Sequence, residues 1–187
     1  MSTGQNDFAK KLNFISIIKN HRKYEDMYKT IEGKVAILGS GCIGVFFYEY
    51  LFCIDVEEFN ELLKDIVFVF VPSLLGLLGI IFAGLAFASG TISIKATENL
   101  FVEDKIDHLI GIFGSFYFAG WTIGVTIILY IVMFFMALSS LVIIPLLSSL
   151  FAFVVGYFTL FIIFYTVGLF DTCIKLFFVN YMYNKNK

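Results

Sequence analysis

The fold of this chain is decided by residues 109–170, which read LIGIFGSFYFAGWTIGVTIILYIVMFFMALSSLVIIPLLSSLFAFVVGYFTLFIIFYTVGLF. These 62 residues include no Asp, Glu, Lys, Arg or His. A helix that crosses the hydrocarbon core of a bilayer needs about 20 consecutive apolar residues, so the stretch holds two spans and a short turn. Two further apolar runs precede it. The sequence therefore predicts an all-α polytopic membrane protein with four transmembrane helices.

The composition agrees with this prediction, and the absence of known catalytic motifs argues against an enzyme. Hydrophobic residues make up 59% of the chain and charged residues 15%, whereas soluble domains carry about 25% charged residues. We find no Gly-rich phosphate loop, Ser–His–Asp set, CxxC or HExxH motif. We therefore expect a protein that is not an enzyme and that needs no cofactor or metal.

The apolar runs and the two prolines set the expected domain organisation. We expect spans at about 35–54, 66–94, 108–137 and 145–171. Pro145 suits the first turn of a helix, where its missing N–H is not needed. One transmembrane domain would thus cover residues 35–171, preceded by a cytoplasmic segment, 1–34, and followed by an interfacial cytoplasmic tail, 172–187.

Positive charge predicts the orientation. Seven Lys and Arg residues lie in 1–34, two between the second and third spans, and three in the tail, whereas the first loop holds only Lys64. By the positive-inside rule, both termini and the second loop are expected in the cytoplasm. The frequent Phe, Ile, Lys and Asn point to an AT-rich bacterial or phage gene, so the bacterial inner membrane is the expected location.

The segment 1–34 reads as one or two basic amphipathic helices. Apolar and aromatic side chains recur at helical spacing, beside a basic run that would attract anionic headgroups. Two interpretations stay open: the segment lies on the membrane surface, or it binds a cytoplasmic protein partner. The residues singled out are Lys19, Arg22, Lys23, Tyr24 and Tyr28. The patch is too short and too close to the membrane to indicate nucleic-acid binding.

Small residues mark the expected helix contacts, because helices in lipid associate by close backbone approach. The second span places five on one face: Gly76, Gly79, Ala83, Ala86 and Gly90. The fourth span has a similar face: Ser148, Ala152, Thr159 and Thr166.

The third span has two such faces. One side carries Gly111, Ser115, Ala119, Thr122 and Thr126, and the opposite side carries Gly120 and Gly124 as a GxxxG pair. Either the third span is central within one four-helix bundle, or one of its faces joins two protomers into a homo-oligomer. The hydroxyls of this span could line a pore, although such groups commonly bond to carbonyls of their own helix.

Few ionisable residues fall inside the spans. Glu49 is expected about 7.5 Å inside the end of the first span, where a carboxylate is a candidate functional site. If the first two spans form an antiparallel hairpin, Lys64 can pair with Glu49 as a partly exposed structural contact. Asp104, Asp107 and His108 could hold a metal at helical spacing, but acids at a helix start are also favoured by the helix dipole.

These features favour a self-associating, non-enzymatic protein that acts on or within the lipid bilayer. In architecture it resembles the membrane effectors or sensors of bacterial anti-phage systems, and it is similar in outline to holin-like proteins; no residue motif carries the resemblance. The alternatives are a subunit of a small transporter or channel, and a membrane anchor for a cytoplasmic partner.

Overall fold

Four long helices make up the fold. The computed structural model of the chain describes residues 23–91, 106–138 and 145–185, and within these ranges it contains helices and short connections but no strand. The helices are α1 (Ile31–Tyr50), α2 (Val56–Thr91), α3 (Ile106–Leu138) and α4 (Pro145–Lys185). Each is long and apolar enough to cross a membrane. The all-helical fold with four candidate spans is therefore confirmed.

The helix ends differ from those expected. α1 begins and ends about one turn earlier than the expected 35–54, so Glu49 is the penultimate residue of the helix and is not five residues inside it. α2 begins at Val56 and not near 66, because Glu57 and Glu58 suit the positive end of the helix dipole. α4 runs past 171 to Lys185, and an i,i+4 ion pair joins Asp171 to Lys175 across the expected end.

The helices pack in an order that the connections do not dictate. α1 packs mainly on α4, and α2 packs mainly on α3. α4 also contacts α2 and α3, so α4, and not α3, is the central helix of the described part of the chain. The expected hairpin of α1 and α2 is wrong as a packing unit, because the small face of α1 fits α4 closely.

That close fit is visible at three glycines. A Cβ at Gly44 would lie 3.2 Å from Cβ of Phe153, and one at Gly156 would lie 3.2 Å from Cδ1 of Ile43. At the other end of the pair, the Glu32 carboxylate lies beside Gly168. α1 and α4 are therefore antiparallel, and the start of α1 lies at the same end of the bundle as the C-terminal half of α4.

Aromatic rings fill the core where α3 meets α4. Phe118 and Phe161 are fully buried. Phe118 packs edge-to-face on Tyr165 at 5.8 Å between ring centroids, and Phe161 stacks on Tyr165 at 5.3 Å. Such pairs add to the stabilisation that comes from burial alone. The pairs of Phe118 with Phe161 and with Tyr165 join α3 to α4 and so help to fix the relative position of these two helices.

The segment before α1 folds back on the bundle. A 3-10 turn (Lys23–Glu25) and one helical turn (Asp26–Lys29) precede Thr30, whose extended backbone interrupts the helix. Thr30 Oγ1 accepts a hydrogen bond from the Gly33 N–H, at 3.2 Å, and so caps α1. A Cβ at residue 33 would overlap the Met27 carbonyl oxygen, so only glycine fits there. The helical spacing of residues 24–31 is thus interrupted at Thr30.

Candidate functional site

The small residues of α2 lie on the outside of the bundle. Gly76, Gly79, Ala83, Ala86 and Gly90 are all exposed. Among the described residues, no atom outside the helix's own backbone lies within 4 Å of a Cβ built on Gly76, Gly79 or Gly90. α2 instead packs through the opposite side of the helix, on which Leu74, Ile81 and Ala88 are buried. Its small-residue face is therefore unused by the other described helices of the same chain.

The two faces of α3 have different surroundings. Ala119, Thr122 and Thr126 are buried on the inner face, and Gly111 and Ser115 are half-buried beside them. On the other side, a Cβ at Gly120 would meet only Leu78, at an ordinary contact distance of 3.7 Å, and one at Gly124 would meet nothing within 4 Å. Among the described residues, the GxxxG pair makes no close helix contact.

The hydroxyl groups of α3 bond within their own helix. Ser115, Thr122 and Thr126 donate to the carbonyl oxygens of Gly111, Phe118 and Thr122, at 3.0, 2.8 and 2.8 Å. This is the arrangement common for Ser and Thr in membrane helices. These hydroxyls therefore give no support to a polar pore along α3.

The expected pair of Glu49 and Lys64 is not formed. Glu49 is exposed in the last turn of α1, and Lys64 is half-buried in the third turn of α2. Within the described ranges, no ion pair joins these two side chains; the pairs that are seen join Lys29 to Glu25 and Lys175 to Asp171. The physical reason is that Lys64 belongs to a helix that packs on α3 and leaves α1.

The N-terminal segment is tied to α4 by two tyrosines. Tyr157 Oη donates to the Met27 carbonyl oxygen at 2.7 Å, and Tyr165 Oη donates to a carboxylate oxygen of Asp26 at 3.4 Å. The part of the segment that touches the bundle therefore already has an intramolecular contact.

The basic and aromatic residues singled out in this segment lie partly outside the described structure. Tyr24 and Tyr28 are exposed. Lys19, Arg22 and the side chain of Lys23 are outside the described residues. The membrane-surface and partner-binding interpretations therefore stay predictions.

One contact face was missed at the sequence level. Gly33, Ala36, Ser40 and Gly44 are all buried on α1. Gly44 lies against Ser149 and Phe153 of α4, and Ser149 Oγ donates to the Gly44 carbonyl oxygen at 2.7 Å. The small residues expected to mark a contact on α4 are also buried, but on another side of that helix, where Thr159 bonds to Tyr130 of α3: Ser148, Ala152, Thr159 and Thr166. The signal was present, because small residues recur along α1 at spacings of three and four, as they do along α2.

A cavity lies between the four helices, in the half of the bundle nearest the connection from α1 to α2. Its volume is about 350 Å³. Its polar groups are the hydroxyls of Tyr130 and Thr159, which are 3.1 Å apart. Thr159 donates to the Val155 carbonyl oxygen, so Tyr130 donates to Thr159. The other lining residues are Ile43, Phe47, Ile66, Phe70, Met133, Ala152, Val155, Gly156, Leu160 and Ile163.

The candidate metal site around the start of α3 lies outside the residues whose side chains the structure describes. Asp104 and the side chains of Asp107 and His108 are outside the described residues. Among the residues that are described, no group of three His, Cys, Asp or Glu side chains is placed to hold a metal ion.

Comparisons with known protein families, with curated proteins and with solved structures find no match to this chain.

Proposed function

We propose that this chain is a multi-pass membrane protein that self-associates through α2 and acts on or within the bilayer as an effector or sensor, without enzymatic activity. Its site of action is the bacterial inner membrane, with both termini in the cytoplasm. The observation that carries the proposal is the exposed small-residue face of α2.

The face is costly unless something covers it. Glycine destabilises a helix interior by about 1 kcal/mol relative to alanine, and Gly76, Gly79 and Gly90 gain no close contact from the other described helices. In lipid, small residues lower the free energy when they let another helix approach closely. A second copy of α2 would bring the same face and form a two-fold symmetric contact.

The spacing of the face supports one geometry. From Gly76 to Gly90 the small residues alternate at three and four positions, which is the spacing of a heptad seam. A seven-residue repeat follows a left-handed crossing, whereas the GxxxG spacing of Gly120 and Gly124 is typical of right-handed crossings. A pair of α2 helices crossing at about 20° would bury the whole face.

Disulfide cross-linking tests the contact. Ala83→Cys and Ala86→Cys would be made in a chain whose Cys42, Cys53 and Cys173 are replaced by Ser. Both variants should cross-link to a second copy in membranes. Ser73→Cys is the control, since Ser73 is exposed on another side of α2. Equal cross-linking at Ser73 and Ala83 would reject the α2 contact.

The orientation is tested with single cysteines near Glu58 and Thr97 and a membrane-impermeant thiol reagent. The positive-inside rule places these positions on opposite sides of the membrane, with Thr97 in the cytoplasm. Labelling of both positions from the same side would reject the proposed topology.

The effector role is tested by induced expression in bacteria with a membrane-potential dye. The proposal expects depolarisation and growth arrest that are lost in a variant unable to self-associate, such as Ala83→Leu. Substrate-dependent flux without toxicity would favour a transporter instead. Recovery of a soluble protein bound to residues 1–34 would favour a membrane anchor.

A further inference from the structure

The cavity between the four helices has the size of a ligand site. Protein interiors are close-packed, and voids much larger than a water molecule are few. Pockets for small molecules have volumes of about 300–1,000 Å³, and this cavity has about 350 Å³. Its volume is therefore within the range of pockets that bind small molecules.

The lining selects an apolar occupant. Tyr130 and Thr159 supply its polar side-chain groups, and both hydroxyls are satisfied, by each other and by the Val155 carbonyl oxygen. A water molecule needs two to four polar partners to occupy a cavity, and apolar cavities stay dry. A headgroup, ion or sugar would likewise lose its hydrogen bonds here.

The cavity is reached from the side. α1 and α2 diverge after their short connection, because α1 packs on α4 and α2 packs on α3. Ile43 and Phe47 of α1 and Ile66 and Phe70 of α2 form the two sides of the gap, and Ile163 of α4 lines the cavity although its side chain is 43% exposed. In a bilayer, acyl chains surround this gap.

We infer that the cavity binds one acyl chain, which enters between α1 and α2. The acyl chain fills the space between these two diverging helices. It packs on the parallel-stacked rings of Phe70 and Tyr130, whose centroids are 5.5 Å apart. The inference is independent of self-association, because Ile66 and Phe70 are not on the small-residue face of α2.

Photolabelling tests the inference with the full-length chain in lipid nanodiscs. One arm uses a phosphatidylglycerol with a diazirine in its acyl chain, and the other uses a diazirine fatty acid of the same length. Adducts mapped by mass spectrometry should concentrate on Ile43, Phe47, Ile66 and Phe70. Concentrated labelling by either probe supports an acyl-chain site. The probe that labels shows whether the bound chain belongs to a phospholipid or to a free fatty acid.

A matched pair of variants on α4 makes the test specific. Val155 lines the cavity and is 4% exposed, whereas Val167 is 64% exposed on the outside of the same helix. Val155→Phe should remove the concentrated labelling, and Val167→Phe should keep it. Adducts spread evenly over all lipid-facing positions of the wild-type chain would overturn the inference, whether or not Val155→Phe folds. A failure of Ala83→Cys to cross-link would argue against self-association through α2 and would leave the acyl-chain site unaffected.

Discussion

α1 and α2 carry the same kind of small-residue face, yet the structure uses the two faces differently. On α1, Gly33, Ala36, Ser40 and Gly44 are buried. On α2, the corresponding face from Gly76 to Gly90 is exposed along its length. The comparison teaches that small residues indicate where a helix can be approached closely, but the matching surface of another helix decides which partner approaches.

The largest effect is expected from a large side chain in the α1 face. Gly44→Leu should destabilise the fold by about 3 kcal/mol, the upper end of the usual cost of overpacking. A Cβ there already lies 3.2 Å from Phe153 and 3.6 Å from the Ser149 carbonyl oxygen. Denaturant unfolding in detergent micelles measures the change.

Gly41→Leu is the matched control on the same helix. Within the described ranges, no atom outside the helix's own backbone lies within 4 Å of a Cβ at Gly41, so the free energy of unfolding should change by no more than about 0.5 kcal/mol. Equal losses for Gly41→Leu and Gly44→Leu would mean that the α1–α4 contact is not what holds α1 in place.

The corresponding change on α2 should affect association and not folding. Gly79→Leu should weaken self-association at least tenfold, or about 1.4 kcal/mol, because the side chain would block the approach of a second helix. The unfolding free energy of the monomer should fall by less than about 0.5 kcal/mol. Förster transfer between labelled copies, measured at increasing lipid dilution, follows association.

Gly124→Leu tells the two candidate interfaces apart. A Cβ at Gly124 likewise meets no other described helix within 4 Å, but Gly124 lies on α3. Association that survives Gly79→Leu and is lost in Gly124→Leu would place the interface at the GxxxG pair of α3. The small-residue face of α2 would then have no role in joining two copies.

A smaller effect is expected from the hydrogen bond that Ser149 of α4 donates to α1. Ser149→Ala removes the hydrogen bond to the Gly44 carbonyl oxygen and should cost about 0.6 kcal/mol, the average for such bonds in a membrane protein. Ser73→Ala is the control, because Ser73 Oγ bonds to Val69 of its own helix. A loss above that of Ser73→Ala in the same unfolding assay is the expected result.

The smallest effect is expected at Glu49, which tests whether α1 has a role besides packing. Glu49 is exposed at the end of α1, so Glu49→Gln should change stability by no more than about 0.5 kcal/mol and leave activity intact. Loss of membrane depolarisation in a folded Glu49→Gln protein would give α1 a proton- or cation-handling role.

The sequence predicted the number and type of the helices because long apolar runs leave few alternatives to transmembrane helices. It did not predict where α2 begins, because the acids from Glu57 to Asp65 read as a loop until Phe59 and Leu63 are seen to be buried on the same helix. It missed the break at Thr30, since helical spacing continues across it and only the cap and the crowding at Gly33 mark it.

Helix pairing was beyond sequence reasoning for a different reason. A short connection allows α1 and α2 to be neighbours but does not require contact between them, and the choice depends on how well two surfaces fit. The cavity follows from the same choice, because it fills the gap that α1 leaves when it packs on α4. No local pattern at Ile43, Ile66 or Val155 signals such a gap.

The helices differ in length, and the lengths of α1 and α4 can be compared with the thickness of a bilayer. α1 has 20 residues, which at 1.5 Å per residue is about 30 Å, the thickness of a typical hydrocarbon core. α4 passes the start of α1 near Gly168 and continues to Lys185, a further rise of about 25 Å. In a membrane matched to α1, the last turns of α4 up to Lys185 would thus extend beyond the hydrocarbon core on the side where α1 begins.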